Sequence, residues 1–154
     1  MEYIVGAYAS APSLLNGSIE QESEFYKILL EKIPNVKGLE IPFFGENLHQ
    51  FGNEFLIKRL NKDWSNIVTA VPASFYALQK DKHFGLASDN DEGRFRAIEN
   101  LKKLIDIIKM VNDHQGKNSI MAVQLCSAPS TPKSDVSSSK VSFQKSLEEL
   151  ILLD

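Results

Sequence analysis

Short apolar runs rich in β-branched residues alternate along the chain with longer segments whose apolar positions recur every three or four residues. The first run, residues 3–8 (YIVGAY), leads into Ala11-Pro12-Ser13, a turn signal. Ser18 and Gln21 then have the spacing of a capping box, in which hydroxyl and amide satisfy orphan N–H groups at a helix start. Phe25, Ile28, Leu29 and Ile33 predict one inward face for that helix, and Pro34 ends it. Residues 36–43 (VKGLEIPF) predict a second strand, and residues 53–60 a short helix presenting Phe55, Leu56 and Leu60. A third strand is expected over 64–72 (WSNIVTAVP), followed by a long connection over 73–90. Asp89 and Glu92 have capping spacing for the longest helix, whose stripe runs Phe95, Ile98, Leu101, Leu104, Ile105, Ile108, Val111, with Gly116 as its stop. Residues 119–125 (SIMAVQL) predict a fourth strand. The Ser/Pro-rich segment 127–140 reads as an exposed, flexible loop. A final helix is expected over 142–152 with Phe143, Leu147, Leu150 and Ile151 inward.

The order is β-α repeated four times, which predicts an α/β fold of parallel βα units. Parallel strands are covered on both faces, hence their nearly continuous apolar runs. No GxGxxG or GxxxxGK[ST] follows any strand, which disfavours a nucleotide-binding doubly wound sheet. A (β/α)8 barrel needs ~250 residues, so four units amount to half of one. Such a half leaves open edges at the first and fourth strands, and these invite a homo-oligomer.

At 154 residues the chain is expected to form a single domain over 1–154 with a core that needs no staples. The net charge of -3 argues against nucleic acid or an acidic membrane surface as partner. The single cysteine, Cys126, excludes an internal disulfide, and the N-terminal run has no basic region to make it a signal peptide. No window reaches the ~20 apolar residues of a membrane helix, so a cytoplasmic location is expected.

The segments YIVGAYASAPS, GLEIPFFGENLH, IVTAVP after Trp64, FGLASDNDEGR and AVQLCSAPS together resemble an uncharacterised bacterial family within the xylose-isomerase-like TIM barrels. That larger group includes sugar isomerases, sugar epimerases and endonuclease IV-like enzymes, and the resemblance covers most of residues 3–129 as the first half of the barrel. It implies a protein of the sugar isomerase or epimerase type, binding a sugar-like small molecule, with a divalent metal in a complete barrel and the metal and acid/base ligands mainly on later strands. This half would then supply substrate contacts: Glu40, His49, Thr69, Arg94 and Gln124. The fourth strand departs from the AVELHSAP that the resemblance leads one to expect, because Gln124 and Cys126 stand where a carboxylate and a histidine would be. A Gln amide binds a hydroxyl but neither takes up a proton nor ligates metal well. Two alternatives stand beside this reading: a non-catalytic half-barrel acting through self-association or binding, and an endonuclease IV-like phosphodiesterase. The acidic balance and scarcity of histidine count against the last.

Glu40 is the sharpest single residue, a carboxylate near the C-terminal end of an otherwise apolar strand, where such barrels build their sites. It suits a catalytic base or a hydroxyl acceptor, and its bland alternative is a carboxylate paired with Lys or Arg. His49, in the loop after that strand, is either a ligand at the same rim or a hydrogen-bonded loop residue. Thr69 ends the third strand, and Tyr8 and Ser10 end the first, where they either line the mouth, with Tyr8 a substrate contact, or pack its rim. Ser88, Asp91 and Arg94, with Ser74 and Tyr76, have the chemistry to hold a sugar or an anion. Equally, the aspartates cap the helix and Arg94 pairs with one of them. His83 carries little signal, and His114 is explained by its place at a helix C-terminus.

Overall fold

The computed structural model describes residues 1–129 and 135–153. Its strands are β1 (Tyr3–Val5), β2 (Val36–Pro42), β3 (Asn66–Thr69) and β4 (Ile120–Gln124). They form one sheet in the order β1-β2-β3-β4, and every neighbouring pair is parallel. The helices are α1 (Ile19–Lys32), α2 (Asn53–Ile57), α3 (Val71–Lys80), α4 (Asp91–Gln115) and α5 (Lys140–Ile151). Helices separate all consecutive strands, so this is the α/β fold of parallel βα units that the alternation predicts. Among the described residues, no helix is long and apolar enough to cross a membrane.

The chain divides into two compact units. The first comprises residues 1–43, 47–69 and 107–124, and holds the whole sheet, α1, α2 and the last turns of α4. The second comprises 44–46, 70–106 and 125–154, and holds α3, most of α4 and α5.

Within the first unit the two sheet faces differ. Leu39, Ile41 and Val68 point to one face and are buried, Val68 completely. The register places Glu40, Ile67 and Ala122 in one row on the other face. Along that row exposure rises from half-buried at Glu40 and Ile67 to exposed at Ala122. The expectation that every strand is covered on both faces therefore fails at the edges. β4 exposes Met121 to 60% and β1 exposes Ile4 to 41%, since neither has a strand beyond it.

The N-terminal end of the sheet is tied by one side chain. Asn66 is fully buried; its Oδ1 accepts the Leu39 N–H at 2.8 Å, and its Nδ2 donates to Ser119 Oγ at 3.0 Å. It thus joins β2, β3 and the residue preceding β4, where the β3–β4 register slips.

Several expected elements are corrected. β1 stops at Val5, and Tyr8 and Ser10 lie in a 3-10 turn (Ala7–Ser10) beyond it. The third strand ends at Thr69, and α3 occupies the expected strand end and the first part of the expected connection. Pro72 hid this helix: it sits in the first turn, where its missing N–H is an orphan anyway. The capping box at Ser18 and Gln21 is present with both reciprocal bonds. At α4, however, the capping side chain is Asn90, whose Oδ1 accepts the Gly93 N–H at 2.8 Å. Asp89 instead accepts hydroxyl bonds from Ser137, Ser139 and Ser142 ahead of and within α5. These three bonds hold its carboxyl below the usual range. Gly116 ends α4 at φ 68° in a Schellman arrangement, with Lys117 N–H returning to Asn112 O.

Inward faces shift as well. Ile28 of α1 and Ile33 just beyond its end are exposed while Tyr26 and Leu29 are buried; Phe95 of α4 and Ile151 of α5 are exposed. In the Ser/Pro-rich segment, residues 130–134 lie outside the described residues. The flanking Ala128, Pro129 and Val136 are buried, not exposed as expected.

Candidate functional site

β2 carries Glu40 to the sheet face opposite the Leu39–Ile41–Val68 core, one row below the strand end formed by Pro42 and Thr69. Among the described residues no hydrogen bond or ion pair engages the Glu40 carboxylate, so the bland alternative of a Lys or Arg partner is not found there. Its nearest neighbours come from the chain just after β1. A Cβ at Gly6 would lie 3.0 Å from Glu40 Oε2, so glycine at that position lets the carboxylate reach over the end of β1. Tyr8 follows in the 3-10 turn. Burial first, and the Glu40 charge second, push its phenol above the ordinary range. A half-buried carboxylate beside a phenol offers one hydrogen-bond acceptor and one donor to a small polar molecule.

Thr69 and Gln124 are cross-strand partners at the ends of β3 and β4. Thr69 is buried and Gln124 exposed. Both lie in the row beyond Glu40, on the same sheet face.

His49 has a different environment from the one its loop position predicts. It is buried, its Nδ1 accepts the Phe51 N–H at 3.0 Å, and its Nε2 lies 2.8 Å from Glu22 Oε1. The Phe51 bond fixes the tautomer: the proton is on Nε2 and is donated to Glu22. Glu22 Oε2 accepts the Ser13 N–H at 2.8 Å, so a completely buried carboxylate is satisfied at both oxygens. Phe55 stacks on the imidazole at 4.6 Å, and Arg59 lies over the Phe55 ring at 3.7 Å. Burial lowers the His49 pKa, against the opposing pull of Glu22. Every polar atom of this pair is committed to the protein, so it serves the fold.

Ser88, Asp91 and Arg94 belong to the second unit. Ser88 is buried and its Oγ accepts the Asn90 N–H at 3.2 Å. Asp91 is exposed, and Arg94 pairs with Glu149 of α5 at 2.6 Å and with Asp91 at 3.9 Å. The ion-pair reading of Arg94 thus describes its surroundings, with Glu149 the stronger partner. Ser74 donates to the Ala70 carbonyl within α3, and Tyr76 is exposed near Phe44, with ring centroids 6.5 Å apart. Cys126 is a half-buried free thiol.

Among the described residues no group of three or more His, Cys, Asp and Glu is placed to hold a metal. The donors present around Glu40 do not by themselves fit the divalent ion that the resemblance implies.

Sequence reading overlooked Glu22 and Asn66. The signal for Glu22 is its helical spacing to Tyr26 and Leu29, a stripe offset from that of Phe25, Ile28 and Ile33. Nothing local marks Asn66, whose three partners come from elsewhere in the chain.

Comparison with known proteins matches residues 4–154 to a family described as a domain of unknown function (DUF4862). The chain is also 34% identical, over 149 residues, to an uncharacterised protein of Salmonella typhimurium. That alignment covers 96% of this chain and 47% of the relative, so the chain spans about half the length of the curated relative it matches. No solved structure matches.

Proposed function

Since the chain belongs to the family of the domain of unknown function DUF4862, we propose that its sheet supplies part of a site for a small polyhydroxylated metabolite, of the sugar isomerase or epimerase type. The observation that carries this reading is Glu40: a half-buried carboxylate near a strand end, with no counter-ion among the described residues, facing away from the core. A carboxylate on a half-covered sheet face, with its oxygens not engaged by the described residues, is available to accept hydrogen bonds from a ligand. In this role Glu40 accepts a sugar hydroxyl or takes the proton beside a carbonyl, and Tyr8 donates a hydrogen bond to the substrate oxygen. Thr69 and Gln124 contact hydroxyls further along the same face. A divalent metal in a longer relative would supply Lewis-acid chemistry, with ligands other than the described residues around Glu40.

Calorimetric titration with aldopentoses, aldohexoses and their 2-keto isomers tests the reading. The expected result is saturable binding of at least one sugar, weakened tenfold or more in Glu40→Gln with an unchanged circular dichroism spectrum. Absence of binding, or binding indifferent to Glu40→Gln, overturns it. In a full-length relative, solvent deuterium exchange at the carbon beside the sugar carbonyl would report the proton abstraction itself.

A further inference from the structure

The chain has eight glycines, and for seven of them the backbone supplies the reason. Gly45, Gly52, Gly85 and Gly116 hold positive φ, and a Cβ at Gly17, Gly38 or Gly93 would lie 2.7 Å or less from a backbone oxygen. Gly6 has neither reason. Its φ of -80° and ψ of 71° are those of the centre of an inverse γ-turn, which any L residue adopts at a strand end. The nearest neighbours of a Cβ placed there are all side-chain atoms: Glu40 Oε2 at 3.0 Å, Tyr8 Cε1 at 3.6 Å and Glu40 Cδ at 3.7 Å. The last two are ordinary contacts, so the group in the way of a side chain at position 6 is the Glu40 carboxylate.

We infer that Gly6 is the positioning residue of the Glu40 site: having no side chain, it leaves the carboxylate its place over the end of β1 and beside the Tyr8 ring. The register explains the competition. Val5 pairs with Leu39, and continuing that register sets position 6 level with Glu40 just as β1 ends. Residues level with each other on neighbouring strands send their side chains to the same face, so a side chain at position 6 and that of Glu40 would claim one volume. All three residues belong to the first unit. Gly6 acts through Glu40 and touches no ligand. Its effect on a ligand rests on the sugar reading above, whereas its effect on the carboxylate stands without it.

Gly6→Ala and Gly6→Val test the inference, each alone and combined with Glu40→Gln, by NMR titration of Tyr8 labelled at Cζ. The quantity read is the downward move of the Tyr8 midpoint on Glu40→Gln, in which any burial added by the new side chain cancels. The expected move is largest with glycine, smaller in Gly6→Ala and at most about half as large in Gly6→Val, because charge interactions weaken with distance. An equal move in all three backgrounds overturns the inference, and so does no move in any.

Calorimetric titration of the same proteins with pentoses and hexoses separates this inference from the sugar reading. A sugar whose binding Glu40→Gln weakens is expected to bind about threefold more weakly to Gly6→Ala and about tenfold more weakly to Gly6→Val, since a group misplaced by ~1 Å can lose ~100-fold. Binding weakened by Glu40→Gln and by neither Gly6 variant leaves the sugar reading standing and overturns the positioning role. Absence of binding in every protein overturns the sugar reading, and the Tyr8 midpoints then decide the placement of the carboxylate alone. If Gly6→Ala does not fold, Gly6→Ala combined with Glu40→Ala decides. Recovery of the native circular dichroism spectrum is expected, because the obstructing carboxylate is gone, and no recovery overturns the inference.

Discussion

Glu22 Oε1 and His49 Nε2 meet at 2.8 Å in a buried part of the first unit, and the direction of their shared proton is set by Phe51, whose N–H occupies Nδ1. A second proton on this imidazole would displace the Phe51 bond and place a cation among Tyr26, Phe51 and Phe55. Burial outweighs the attraction of Glu22, so the folded pKa lies below the ordinary value of 6.5. In the unfolded chain His49 takes its proton near 6.5, so below that pH the unfolded state binds more protons than the folded one. Stability is therefore whole above pH 6.5 and falls on acidification until the folded His49 also titrates. Urea unfolding across pH 7 to 5 should show this loss, with a limiting slope of about 1.4 kcal/mol per pH unit for one proton. His49→Gln, which keeps a donor towards Glu22, should flatten that part of the profile.

The same pair predicts a large effect from the carboxylate side. Glu22→Ala leaves the Ser13 N–H and the His49 Nε2–H buried without acceptors, and opens a cavity between α1 and the turn before it. Two orphaned donors cost about 3 kcal/mol together. The urea midpoint should fall accordingly with the m-value unchanged, while Glu22→Gln, which retains an acceptor oxygen, should lose less than half as much.

Asn66 makes the corresponding prediction for the sheet. Asn66→Ala deprives the Leu39 N–H of its acceptor and Ser119 of its donor, in a place water does not reach. The expected loss is about 2 kcal/mol. Hydrogen exchange at the Leu39 amide is the local measurement: its protection should drop further than that of Ile41, whose strand bonding is untouched.

How much of this was legible depends on the range of the interaction. Parallel strand order and α1, α2, α4 and α5 follow from periodicity and capping residues within a few positions of one another, and these appear where the sequence puts them. α3 was hidden because the apolar run of β3 continues straight into it, and Pro72 reads as a strand end before it reads as a helix start. Glu40 was conspicuous because a charge interrupts an apolar strand. Glu22 was not, because a glutamate in the first turn of a helix is ordinary and only its tertiary partners, Ser13 and His49, reveal that it is buried. Gly38 belongs with the illegible features: a Cβ there would lie 1.9 Å from the Ser65 carbonyl oxygen, a constraint imposed by a residue 27 positions away.

The arrangement around Glu40 can be checked without knowing any ligand. Tyr8 titrates above its ordinary value of 10.0 for two reasons, burial and the Glu40 charge. A negative charge nearby disfavours the phenolate, so removing it favours ionisation at lower pH. Glu40→Gln should therefore move the Tyr8 transition downward, and burial should keep it above 10.0. Selective labelling of tyrosine Cζ resolves the four tyrosines by NMR. Tyr26, buried beside Glu22 and Arg59, serves as the internal control because neither of those neighbours changes. A Tyr8 midpoint that does not move would mean that the carboxylate and the phenol are not neighbours in solution, and the acceptor-and-donor pair assigned to the candidate site would be dissolved.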